Sequence, residues 1–369
     1  MSVARLSPAP KAHVGRRWGG LRDKAATAIA ISSSACPTVQ PAPHIRSAPA
    51  PTAFALNPLG PTAAEIKGFD CAQAMDAGTL RALKQAYLTY PVLICRDQIM
   101  SAPELAAFGR LFGALETYQQ PAVKAARPPL AALRETRART PPDQMLYPHP
   151  EESGVLIMTN EVLPELPAIA VIDNAECWHS DGSHKSEPYQ AIAVHALQEP
   201  AFGGGDTEFC DLRLIYDALP AGDKKLLAGL TATHHWSKSL NPRFAGALDD
   251  AAREASARIV AMIPSAHHPV VRTHPDTVRP TLYLSPRFTL GIDGAAPDAS
   301  EAILKELFAL MDDPRFCSRH QWRERDLMIW DNRCLNHRVL AYAANDVRRR
   351  YRVTIGGDKP YYRAAAVCC

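Results

Sequence analysis

His179 and Asp181 stand two residues apart in the segment CWHSDGSHKSEPYQAIAVHALQEPAFGGGDTEF. On an extended strand that spacing sends both side chains to one face. Joined by one histidine from elsewhere in the chain, they would form a 2-His-1-carboxylate facial triad. Such a triad leaves one face of an octahedral iron(II) open for a bidentate cosubstrate and dioxygen. The spacing alone carries little, because His274 and Asp276 repeat it. A surface His-x-Asp with an unrelated distant histidine is the plain alternative.

Context separates the two pairs. After Asp181 come a strand-like run, the glycine-rich GGGDT and, much later, IWDNRCLNHRVLAYAANDVRRRYRVTIGGDKP. In that last stretch His337 follows an apolar run ending in Asp331 and Asn332, Arg348 lies eleven residues beyond it, and Arg352 four further on. In this order the elements resemble the taurine dioxygenase and 2,4-dichlorophenoxyacetate dioxygenase family over about residues 63–363, from IKGFD through RDQ to GGDKPYYR. The stretches VRTHP and WDNRCLNHR look closer to the phenoxyacetate branch.

The resemblance implies a double-stranded β-helix (jelly roll) with flanking helices, and it implies roles by matching position. His179, Asp181 and His337 correspond to the Fe(2+) ligands. Thr207 and Arg348 correspond to the residues that bind the distal carboxylate of 2-oxoglutarate, for which a planar guanidinium and a hydroxyl are apt donors. Arg352 matches an arginine near the substrate anion in the taurine enzyme. Tyr118 stands where that enzyme has a substrate-binding histidine, which argues against taurine itself. His184 departs from the family, whose members commonly carry an aromatic residue there; with Lys185 it could equally face water. Arg348, Arg350 and Arg352 share one face of a strand, and a charge run is usually a solvated face, so only the spacing from His337 singles out Arg348. The implied reaction spends 2-oxoglutarate and dioxygen to hydroxylate, and thereby sometimes cleave, a small organic anion such as an aryloxyalkanoate. An alkylsulfonate or alkyl sulfate ester is the alternative substrate, and a non-catalytic jelly-roll binding protein the alternative of another class. Family members often form dimers or tetramers, so a homo-oligomer is expected.

The elements that must position these residues read as mainly β. Short strand-like runs (GVLIMTN, AIAVHAL, TLYLS, DLMIW, RVTIGG) alternate with Gly, Pro and Asp clusters, favouring a sandwich or barrel. Ahead of them, Thr79 is placed to cap a helix bearing Leu80, Leu83 and Tyr87, and PVLIC reads as a buried strand. Ser101 and Glu104 have capping-box spacing before a helix with Leu105, Phe108 and Phe112 on its inner side. Residues 121–143, rich in Pro and basic side chains, read as a long loop. Helical periodicity returns over 212–230 and 300–311. Trp178 and Trp330, each beside a motif, read as packing residues.

Residues 1–62 read as a disordered or targeting-like extension, dense in Ala, Ser and Pro, with the dioxygenase-like domain spanning 63–369. A cytoplasmic protein is expected, or an organellar one if this extension is a transit peptide. The extension carries seven basic side chains against one acid, so the total of +3 leaves the body at −3. A mildly acidic body offers no broad footprint for nucleic acid, and no apolar run approaches the roughly 20 residues of a membrane span. The nine cysteines include no C-x-x-C pair, so neither a zinc site nor a disulfide framework is indicated.

Overall fold

A computed structural model of the chain describes residues 54–118, 144–163, 165–166, 170–172, 176–239, 262–343 and 345–364. Residues 1–53 of the expected extension and the loop expected over 121–143 lie outside these. Strand β1 (Ala55–Pro58) pairs antiparallel with β2 (Ala63–Lys67), so regular structure begins ahead of residue 63. Helix α1 (Ala77–Thr89) is capped by Asp76 rather than Thr79: the carboxylate accepts from the amides of Gly78 and Thr79. A carboxylate also meets the positive end of the helix dipole, which is why it takes the cap from a threonine three residues later. Leu83 and Tyr87 are buried on the inner face, as their spacing predicts. The apolar run becomes β3 (Val92–Cys95), and helix α2 (Ala102–Arg110) carries both halves of the Ser101/Glu104 capping box.

The strands that follow are β4 (Gln144–Pro148), β5 (Val155–Thr159), β6 (Ala170–Ile172), β7 (Ala191–Gln198) and β8 (Thr207–Asp211). The single helical stretch expected over 212–230 is two helices, α3 (Leu212–Ala218) and α4 (Ala221–Leu227). Pro220 causes the break: it has no amide proton to donate and forces Leu219 into the extended region, at ψ 142°. Beyond lie β9 (Thr231–His234), β10 (Ala266–Pro269), β11 (Val271–Thr273), β12 (Pro280–Leu282), β13 (Thr289–Ile292) and helix α5 (Pro297–Ala309). The chain closes with β14 (Cys317–His320), β15 (Leu327–Asp331), β16 (Leu335–Val339) and β17 (Arg349–Ile355).

Nine strands form the large sheet, in the order β1-β2-β3-β15-β7-β17-β5-β4-β6, and β14-β8-β16 form a small one. Strict alternation sorts the large sheet's side chains. Leu93 and Cys95 of β3, Leu327 and Ile329 of β15, Ala191 and Ala193 of β7, and Val353 and Ile355 of β17 pack under α1 and α2, against Leu83, Tyr87, Leu105 and Phe108. The intervening residues, Val92, Ile94, Met328, Trp330, Ile192 and Val194, face Phe209 of β8 and Leu335 of β16 on the small sheet. A further apolar cluster, with Leu212, Ile215, Leu304 and Leu307, joins α3 to α5 on the far side of β8. The result is the expected jelly roll with flanking helices. On β17 the same alternation that sends Val353 and Ile355 to the helices sends Arg350 and Arg352 to the interior between the sheets. Cys95 and Cys210 are buried free thiols. Among the described residues no helix is long and apolar enough to cross a membrane.

Candidate active site

His337 sits in the middle of β16, opposite Phe209 of β8. Its other edge meets His179 in a lone antiparallel bridge: the His179 amide donates to the His337 carbonyl at 3.0 Å, and the return bond is 2.8 Å. This bridge, rather than a regular strand through 179–181, brings the histidines together, with ring centroids 4.2 Å apart. Asp181 lies in the turn that follows. Asn332 sets it there, accepting from the Asp181 amide at 2.9 Å and donating to the carbonyls of Asp181 at 2.8 Å and Tyr189 at 3.0 Å. Gly182 makes the turn possible with φ +71°, and a Cβ there would press on the Tyr189 ring at 2.8 Å.

The Asp181 carboxylate faces both imidazoles, Oδ1 at 3.7 Å from His179 Nε2 and Oδ2 at 3.6 Å from His337 Nε2. One ligand atom from each of the three residues falls within 4.8 Å of the others. The Cys177 carbonyl, 2.8 Å from His179 Nδ1, holds the proton on that nitrogen and leaves the Nε2 lone pair facing inward. Burial pushes His179 well below the usual histidine range and His337 down to about 4, so both rings are neutral. Burial pushes Asp181 up, but the Arg352 guanidinium and the two imidazoles outweigh it and hold the carboxyl below the usual carboxylate range. Two neutral imidazoles and one carboxylate suit a divalent first-row metal, so the residues present fit such an ion.

The three form one wall of a cavity of about 270 Å³. Thr207, Arg348, Gln144 and Trp322 also line it, as do His184, Tyr118, Tyr189, Trp236, Phe288 and Arg352. The Trp322 indole donates to Thr207 Oγ1 at 2.9 Å. His184 lies between the rings of Trp236 and Phe288, with centroids 5.1 and 5.0 Å away, and burial lowers it to about 4. It is half-buried in the cavity wall rather than turned to water. Tyr118 donates its hydroxyl to Thr354 Oγ1 at 3.1 Å. Trp330 both packs between the sheets and lines the cavity, 5.0 Å from the His337 ring.

Charge pairing distinguishes the three arginines that alternation puts on one face. Arg350 is gripped by Glu199 through bonds of 2.5 and 2.6 Å. Arg352 donates to Asp181 Oδ2 at 3.0 Å. Arg348 is buried and, among the described residues, pairs with no carboxylate; burial and the neighbouring Arg350 lower it to about 10. A buried cation without its counter-ion is costly and invites an anion from outside.

The second His-x-Asp has another task. His274 Nε2 meets Asp331 Oδ2 at 2.9 Å, Arg333 binds the same carboxylate through two bonds, and Asp276 pairs with Arg333 at 2.8 Å. His274, Asp331 and Cys334 also lie within ligand distance of one another. There the carboxylate is already taken by His274 and Arg333.

The family model described as "Taurine catabolism dioxygenase TauD, TfdA family" matches residues 55–354. The chain belongs to that family. Among its relatives is the alpha-ketoglutarate-dependent 2,4-dichlorophenoxyacetate dioxygenase of Cupriavidus pinatubonensis, 30% identical over 306 residues, which cover 82% of this chain and 97% of the relative. The (S)-phenoxypropionate/alpha-ketoglutarate-dioxygenase of Sphingobium herbicidovorans is 30% identical over 310 residues, covering 83% and 96%. In fold, the chain is similar to the crystal structure of AAD-2 in complex with Mn(II) and N-oxalylglycine, with a TM-score of 0.62, 24% identity and coverage of 84% and 100%. This TauD/TfdA-family chain is accordingly a 2-oxoglutarate-dependent dioxygenase.

Sequence reading missed three residues of the site. Asn332 follows the apolar run, and its Asp-Asn pair was visible, but its reach to Asp181 depends on tertiary contact. Trp322 and Gln144 stand in stretches without motif or periodicity, so no sequence signal pointed to them.

Proposed function

We propose that this dioxygenase holds iron(II) through His179, Asp181 and His337 and hydroxylates a small aromatic-bearing organic anion, with aryloxyalkanoates as the favoured class. The observation that carries the reading is the pairing pattern: a neutral-imidazole and carboxylate triad faces the same cavity as Arg348, a buried arginine that no acid among the described residues neutralises. Arg348 would take the distal carboxylate of 2-oxoglutarate. Thr207 would help, because its hydroxyl oxygen accepts from Trp322 and its own proton is left to donate. Iron(II) held there would supply the site at which one dioxygen is consumed, one oxygen atom going into succinate as 2-oxoglutarate loses carbon dioxide and the other into a hydroxylated substrate carbon.

Arg352 has a double task in this scheme. One of its N–H groups fixes Asp181 and its Nε donates to Thr354 Oγ1 at 3.4 Å, while its positive charge would attract the substrate anion. Tyr118, Tyr189, His184, Trp236 and Phe288 offer ring faces and edges to an aryl group. A neutral His184 adds a hydrogen-bonding edge without a charge. Hydroxylation of a carbon bearing an ether oxygen gives a product that collapses with C–O cleavage. The printed names of the two relatives, dioxygenases of 2,4-dichlorophenoxyacetate and (S)-phenoxypropionate, support this class.

The test is succinate formation by the purified chain with iron(II), 2-oxoglutarate and a panel of aryloxyalkanoates, alkylsulfonates and alkyl sulfate esters. Iron- and 2-oxoglutarate-dependent succinate release with an aryloxyalkanoate is expected. Turnover of sulfonates or sulfate esters alone would replace the substrate reading. No turnover of any acid by iron-loaded protein would favour a binding protein instead.

A further inference from the structure

Gln144, the first residue of β4, is buried and lines the same cavity as Arg348. Its amide oxygen lies 3.4 Å from Arg348 Nη2, and with the amide turned end for end the oxygen accepts from Nη1 and Nη2 at 3.1 Å each. A guanidinium offers only donors, so the second orientation is the satisfied one. The same arginine is held from two other sides. Its Cζ stands 5.3 Å from the centre of the Tyr342 ring, and its backbone amide donates to Asn160 Oδ1 at 3.0 Å.

An acceptor shared by both Nη groups takes the tip of the guanidinium. It leaves the edge formed by Nε and one Nη, a two-donor fork matched to a carboxylate. The choice of an amide matters, as Arg350 two residues on shows. There Glu199 supplies the acceptor and cancels the charge. A neutral amide orients Arg348 and keeps its charge for an incoming anion.

We propose that Gln144 is a positioning residue for the cosubstrate, holding Arg348 so that its free edge receives the distal carboxylate of 2-oxoglutarate. This rests on the reading of Arg348 given above. The test is calorimetric titration of the Mn(II)-loaded chain with 2-oxoglutarate and, separately, with 2-oxovalerate, which has a methyl group in place of the distal carboxylate. Gln144→Leu should weaken 2-oxoglutarate by about tenfold to a hundredfold, the range for losing a buried hydrogen bond to a charged group, and leave 2-oxovalerate unchanged. Gln144→Glu, close to isosteric, should weaken 2-oxoglutarate further, because the new carboxylate would occupy Arg348. Parental affinities in both variants, or equal loss of both ligands, would overturn the proposal. Arg348→Leu separates the two claims: it should erase the preference for 2-oxoglutarate over 2-oxovalerate. If it does not, the reading of Arg348 fails; if it does while the Gln144 variants bind as the parent, only the role of Gln144 fails.

Discussion

At the scale of single residues, the site is set by partners as much as by the groups that would do the chemistry. Asp181 is the clearest case. Its backbone is tied at both ends to the Asn332 amide, and its carboxylate is aimed by Arg352. Asn332→Ala should therefore weaken metal binding by roughly 10- to 100-fold, the usual cost of removing a partner that orients a ligand. Competition for the metal against a chelator measures this, and a parental dissociation constant would show that Asp181 holds its place unaided. The residue types of the site were legible in the chain: His179, Asp181, Thr207, His337, Arg348, Arg352, Tyr118 and His184 all line one cavity. What separates Arg348 from Arg350 and Arg352 was not legible, because it is the identity of each counter-ion. Glu199 and Asp181 lie more than a hundred residues away in sequence. The pair at His274 and Asp276 likewise differs from the pair at His179 and Asp181 in what surrounds it: Asp276 pairs with Arg333, whereas Asp181 faces two imidazoles.

At the scale of elements, period-two alternation carried most of the information. It accounts for which residues of β3, β7, β15 and β17 face the helices and which face the small sheet, and the shared face read from the sequence for Arg350 and Arg352 puts both in the cavity that the triad lines. The capping box at Ser101 and Glu104 formed as its spacing implied, because both bonds are local. Two local expectations failed for local reasons. Asp76 outcompeted Thr79 as a cap, and Pro220 split one helix into two. A third was overridden by tertiary structure. The extended geometry assumed for 179–181 gives way to a single bridge onto His337 followed by a turn, so the His179 and Asp181 side chains meet through pairing with β16 and not by strand periodicity.

At the scale of the whole molecule, the interior holds several histidines in the neutral form. Burial lowers His337 and His268 to about 4 and His234 to about 3, and pushes His179 well below the usual range. In the unfolded chain these rings titrate near 6.5. Between about 6.5 and 4 the unfolded state thus binds more protons than the folded one, and stability falls as the pH is lowered through that window. The metal-free chain should show a Tm clearly lower at pH 5 than at pH 7.5, followed by thermal unfolding at constant ionic strength. An equal Tm at the two values would mean that these rings are already protonated in the fold.

On the proposed reading, His337 of β16, and not His274 of the second His-x-Asp, completes the metal site with His179 and Asp181. Iron content after anaerobic loading with iron(II) and removal of excess metal tests it, comparing the parent with His337→Ala and His274→Ala. The parent and His274→Ala should retain iron stoichiometrically, while His337→Ala should lose most of it. Parental iron content in His337→Ala, or its loss in a folded His274→Ala, would contradict the assignment.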